Sequence, residues 1–106
     1  MIRRIRIGSI RKPGRLVPST ARALRARAVQ LPPAGIMAWH STLTREELLI
    51  GCQGRLDVEI RRAGQRVRQV RLSAGRTTFL PSHTWHRVVN RSAMSARYIY
   101  VTASIS

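Results

Sequence analysis

The stretch RLDVEI at residues 55–60 alternates strictly, with Leu56, Val58 and Ile60 on one side of an extended chain and Asp57 and Glu59 on the other. Period two is the pattern of a β-strand with one face packed inward. The same rhythm runs through residues 2–7 (IRRIRI), 66–72 (RVRQVRL) and 96–104 (ARYIYVTAS), with further β-rich runs at 76–80 and 86–90. Turn formers stand between them: Lys12-Pro13-Gly14, Pro18-Ser19, Pro32-Pro33-Ala34-Gly35, Gly51 to Gly54, Ala63-Gly64, Ala74-Gly75 and Pro81-Ser82. Residues 19–30 (STARALRARAVQ) read two ways. Ser19 or Thr20 could cap a short helix, and Ala, Leu and Arg favour one. However, Pro32-Pro33 would end that helix at once, and Leu24, Ala26 and Ala28 also fit one face of a strand, which is the expectation here. Short strands at regular spacing predict an all-β sandwich or barrel.

Length and composition narrow this to one domain. At 106 residues and 43% apolar, the chain can build a single core but not two. The expected division is a basic N-terminal strand or arm over residues 1–23 and one barrel over residues 24–106. No window approaches the roughly 18–20 apolar residues of a membrane helix. The start, MIRRIRIGSIRK, has no apolar run behind its basic residues, so it does not read as a secretory signal. Its alternation, with Pro and Gly following, argues against a helical transit peptide. A lone Cys52 leaves no internal disulfide and fits a reducing compartment, so the expected location is the cytoplasm. Between Gly51 and Gly54, that cysteine reads as a small turn or core residue.

Charge adds a partner class. The 20 basic residues, all arginine except Lys12, outnumber four acids and leave a formal charge of +16. All four acids (Glu46, Glu47, Asp57 and Glu59) fall between residues 31 and 60, and the flanking thirds carry none. Such a surface attracts polyanions through counterion release. Yet the arginines alternate along strands instead of forming one block. No aromatic RNP run or helix-turn-helix spacing is present, and aromatics for base stacking are few. Nucleic acid is therefore expected to bind only non-specifically.

The chemistry concentrates on histidine. In GRTTFLPSHTWHRVVN (residues 75–90), Gly75 turns into a strand, Pro81 ends it, and His86 opens the next. His86 shares a face with Val88, and Glu47 shares one with Leu49, so an imidazole and a carboxylate both point where apolar residues point. A carboxylate aimed into an apolar interior is costly unless paired or coordinating. With His40 they form two imidazoles and one carboxylate, enough for a divalent transition metal and the set used by facial-triad iron. The other reading stays open: His40 and His86 as pocket histidines bonded to backbone, with Glu47 paired to an arginine. Trp39 and Trp85 each precede one of these histidines and so face the other way, where packing between sheets is the expected role. A Ser-His-Asp triad is unsupported, because Asp57 alternates outward.

These motifs resemble those of a small single-domain cupin. The family's second motif (Gly, five residues, Pro-x-Gly, two residues, His, three residues, Asn) is matched by Gly75, Pro81, His86 and Asn90, with His83 in place of the inner Gly. Its first motif (Gly, five residues, His-x-His, three or four residues, Glu, six residues, Gly) is matched by His40, Glu47 and Gly54. Gly35 sits one residue too close, and Thr42 stands at the second His. The resemblance covers about residues 24–102 and implies a jelly-roll β-barrel with metal ligands His40, Glu47 and His86. The metal implied is Fe, Mn, Ni or Zn. A Thr hydroxyl is a poor ligand for such ions, so Thr42 should weaken binding or leave the position to water. His83 could compensate, or serve only the turn. Three functions follow. The first is a metal-dependent enzyme acting on a small anionic molecule by dioxygenation, isomerisation or decarboxylation. The second is a metal-free ligand-binding or sensor module, and the third a basic protein whose charge binds nucleic acid or acidic partners. Cupins of this size commonly pair, so a homodimer is expected through the segments 2–7 and 98–101 as candidate edges.

Overall fold

The computed structural model describes residues 5–62 and 64–105. Nine strands form: β1 (Gly14–Arg15), β2 (Leu24–Leu31), β3 (Ile36–Ser41), β4 (Arg45–Gln53), β5 (Arg55–Arg61), β6 (Arg68–Ser73), β7 (Thr77–Leu80), β8 (Trp85–Val89) and β9 (Ala96–Ser104). They make two antiparallel sheets, of order β1-β2-β9-β4-β7 and β3-β8-β5-β6. No helix occurs among the described residues, so the all-β jelly-roll expectation holds. The ambiguous segment becomes β2, ended by Pro32 and Pro33 as anticipated, but the face buried between the sheets is that of Val29 and Leu31, of opposite parity to Leu24, Ala26 and Ala28.

Two expectations about edges do not hold. Residues 98–101 lie within β9, which pairs with β2 on one side and β4 on the other and so sits in the middle of its sheet. Its Tyr98 and Ile99 are buried, as a central strand requires. Residues 5–7 form no strand; residues 2–4 lie outside the described residues.

Strands β2, β4 and β9 each contribute an inward face that changes character along its length. In β2 it runs from Leu31 and Val29 to Arg27 and Arg25; in β9 from Ala96 and Tyr98 to Tyr100 and Thr102; in β4 from Leu49 to Glu47. The pairings Val29↔Tyr98, Leu49↔Tyr100, Arg25↔Thr102 and Glu47↔Thr102 align these gradients across the sheet. The facing sheet does the same, with Met37↔Val88 followed by His40↔His86. One end of the interior is thus a continuous apolar cluster of Val29, Leu31, Leu49, Leu56, Val58, Leu72, Leu80, Val88, Ala96 and Tyr98. The other end is polar. Register alone makes the site.

The outer face of the second sheet carries Asp57 and Glu59. Both are buried even though they point away from the core, because arginine side chains cover them. Asp57 accepts from Arg71 at 3.0 Å and Arg91 at 3.2 Å. Glu59 pairs with Arg87 and, at 3.3 Å, with Arg91. The Asp57 hydrogen bond raises the pKa of the Arg91 guanidinium above the ordinary arginine value.

Where β4 passes the 73–76 turn, the backbones nearly touch. Gly51 N–H donates to Arg76 O at 2.8 Å, and a Cβ at Gly51 would lie 2.1 Å from Ser73 O. No side chain fits against a backbone oxygen there. Gly51→Ala is expected to lower unfolding stability by about 3 kcal/mol, read as a reduced urea midpoint; a change of a few tenths would show the crossing to be loose.

Candidate metal centre

Three side chains from two sheets meet at the polar end of the barrel. β4 supplies Glu47 from one sheet, and β3 and β8 supply His40 and His86 from the other. Ligand atoms of the three all lie within 4.8 Å of one another, so the group could hold a metal ion. Atoms bound to one ion at about 2.0–2.2 Å can be at most about 4.4 Å apart. Three donors cannot all lie opposite one another, and at tetrahedral or octahedral angles they stand about 3–3.6 Å apart, so the set must draw inward to share one ion. His86 is 0% exposed and Glu47 7%, while His40 stands at the open side. The two rings are 4.2 Å apart between centroids, tilted by 59°.

Hydrogen bonding orients both rings. His40 Nδ1 lies 2.8 Å from Ala38 O, and His86 Nδ1 lies 3.2 Å from Thr84 O. A carbonyl can only accept, so each Nδ1 carries a proton, and in the neutral ring each Nε2 is the nitrogen left to bind a metal. His86 Nε2 lies 3.2 Å from Glu47 Oε2, an ion pair when the ring carries a second proton and an acceptor opposite an acceptor when it does not. Two lone pairs at that range repel unless a proton or a cation lies between them. Of the alternative reading, the histidines are indeed bonded to backbone, but among the described residues no arginine pairs with Glu47. Arg45 is adjacent, but its Nε donates to Thr102 Oγ1 at 2.9 Å and its Nη2 to Ala23 O at 2.6 Å. The donor set, the fixed tautomers and the lack of an arginine on Glu47 all suit a divalent transition metal.

Thr42 and His83 lie apart from this group. The Thr42 hydroxyl donates to Pro81 O at 2.7 Å and accepts from Thr84 N–H at 3.0 Å, latching the β3–β4 turn to the β7–β8 turn. Its oxygen is engaged in structure, although the residue borders the cavity. His83 is exposed, with φ of 56°. That left-handed backbone accounts for the departure at this motif position: the conformation suits glycine, and a side chain is tolerated at some strain. Its N–H donates to Leu43 O at 2.8 Å, so the residue serves the turn. Asn90, buried at the end of β8, is also structural; its Nδ2 donates to Leu31 O at 3.0 Å and Met94 O at 2.8 Å, and its Oδ1 accepts from Ser92.

The trio opens into a cavity of about 400 Å³ also lined by Arg25, Arg45, Tyr98, Tyr100, Met37 and Val88. Sequence reading did not find the arginines or tyrosines. Their signal was the alternation itself, since Arg25 and Arg27 share parity with buried Val29. Trp39 and Trp85 are a correction. Both lie on the outer surface, Trp85 52% exposed, and not between the sheets. Inward positions on β3 and β8 were already taken by the histidines, and no third layer covers the outside.

The chain belongs to the cupin family: the model of the cupin domain matches residues 27–102. No curated protein matches the sequence. Among solved structures the chain is similar to the cupin domain of Schizosaccharomyces pombe Cnp3, at a TM-score of 0.74 and 15% identity over 88% of this chain and 60% of that one. It is similar to an oxalate oxidase in complex with the substrate analogue glycolate (TM-score 0.71, 21% identity, 76% of this chain). It spans only 42% of that oxidase chain. A predicted oxalate decarboxylase from Thermotoga maritima is a further likeness, at TM-score 0.68 and 19% identity over 78% of this chain and 68% of that one. At such identities the likeness shows the fold.

Burial, then the charge of Glu47, raises the Tyr98 phenol well above its usual range, so it is neutral in the folded protein. A folded-state value above the unfolded one stabilises below pH about 10 and is lost as pH rises through that range. Above that pH, the unfolded state alone sheds this proton, and stability should fall by about 1.4 kcal/mol per pH unit more in the native chain than in Tyr98→Phe. Urea melts at rising alkaline pH measure it, and equal slopes would show that burial is not felt.

Proposed function

We propose that the protein binds one divalent transition metal through His40, Glu47 and His86 and acts on, or senses, a small carboxylate in the adjoining cavity. The observation carrying this reading is the convergence of the three donors, with His86 Nε2 and Glu47 Oε2 3.2 Å apart around a point that a cation can occupy. The ion would supply Lewis acidity or redox capacity; the chain supplies everything else. Arg25 and Arg45 provide cationic wall for an anion, and the bonds from Arg45 to Thr102 and Ala23 hold its guanidinium in place. Tyr98, kept neutral, retains an O–H to donate. Met37 and Val88 make the remaining wall apolar and limit water. Oxalate and glycolate are the ligands to try first, given the oxalate-directed neighbours.

Elemental analysis of tag-free protein tests the metal. About one ion per chain is expected, lost in His86→Ala and Glu47→Gln but kept in His83→Gly and Thr42→Val. Added Fe²⁺, Mn²⁺, Ni²⁺ or Zn²⁺ at about a hundred times Kd should stabilise the native chain by about 2.7 kcal/mol. A metal-free preparation whose thermal midpoint ignores all four ions would overturn the proposal and leave a ligand-binding module.

A further inference from the structure

The two tryptophans missing from the core have a place of their own. Trp39 and Trp85, with Arg61, Arg62, Gly64 and Gln65, line an open depression of about 670 Å³. It lies on the outer face of the second sheet, reached from the side of β3 and β8 opposite the histidines. Cross-strand pairing sets Arg61 beside Trp85. Arg87 places its guanidinium 5.1 Å from the Trp39 ring centre, a cation–π distance. Arg87 is bonded to Glu59, so its charge is locally balanced and it acts as a prop for the indole. Among the described residues, Arg61 and Arg62 make no ion pair with any carboxylate. An exposed Trp85 and a half-buried Trp39, flanked by unneutralised guanidinium groups, suit a negatively charged polymer that carries planar bases.

We propose that this face binds single-stranded nucleic acid, bases stacking on Trp85 and Trp39 while Arg61 and Arg62 meet the phosphates. Charge selects this occupant. The chain carries +16, so a second copy of itself would be repelled at a basic patch, whereas a phosphodiester strand gains from releasing counterions. Stacking tolerates any base, because every base has a π face, so recognition is without sequence preference. A duplex hides those faces. The inference stands apart from the metal cavity, which opens on the other side of the sheet.

The chain has only two tryptophans, and both line this depression, so tryptophan emission, excited at the red edge where tyrosine does not absorb, reports on it alone. The test titrates full-length protein at about 0.15 M salt with a thymidine oligonucleotide of about 15 residues, its duplex, heparin and polyglutamate. Single strand should quench the emission strongly and bind roughly tenfold more tightly than duplex. Trp85→Leu and Trp39→Leu should each weaken single-strand binding by about tenfold and leave heparin binding unchanged, while Trp85→Phe restores most of it. Undiminished binding by folded Leu variants would overturn the proposal in favour of charge alone. Equal quenching by polyglutamate would overturn it in favour of an acidic protein.

Discussion

A carboxylate buried between two β-sheets, with an imidazole nitrogen 3.2 Å away and no arginine bonded to it among the described residues, is the constraint around which this molecule is arranged. Removing a carboxylate from water is expensive, and an unpaired one would be protonated or expelled. In a chain with 20 basic residues, a guanidinium partner would be easy to find. The fold withholds it: Arg45, the nearest candidate, is occupied by Thr102 and the Ala23 carbonyl. Glu47 is left to two histidines whose outer nitrogens are fixed on backbone carbonyls. Such an arrangement is stable with a cation in it and strained without a proton or ion to share.

Holding that geometry takes both sheets. Glu47 comes from β4, flanked by β9 and β7, and the histidines from the β3–β8 pair. Because β strands are rigid in period two, moving any donor by one residue would turn it outward. The Thr42 latch between the two turns at this end keeps β3 and β8 in step beside the site. The position where the family's motif has a second histidine is thereby used for architecture, and three donors remain.

Alternation was the legible part. It identified β5, β6, β7, β8 and β9 closely, favoured strand over helix at β2, and gave Glu47 and His86 an inward direction from their neighbours Leu49 and Val88. Motif spacing added His40, on a strand of Ile, Met, Ala, Trp and Ser that has little pattern of its own. What remained hidden depends on tertiary partners. Parity shows that Asp57 and Glu59 point outward, but not that arginines from β6, β8 and the turn after it would bury them. Nor does it tell a central strand from an edge, and β9 was misplaced for that reason. The tryptophans failed differently: hydrophobicity argued for burial, whereas the layer they face has nothing on top of it.

That failure connects the two surfaces of the second sheet. The dipeptide Trp-His occurs at 39–40 and again at 85–86, and His40 pairs with His86 across β3 and β8. In each dipeptide the histidine turns to the cavity and the tryptophan to the outside. One register therefore sets both the spacing of the imidazoles and the spacing of the indoles. A shift in β3 relative to β8 cannot alter one without altering the other, and the bulge between Met37 and His40 is where such a shift would be absorbed. A ligand on the indole face would thus contact the same two strands that carry two of the three donors.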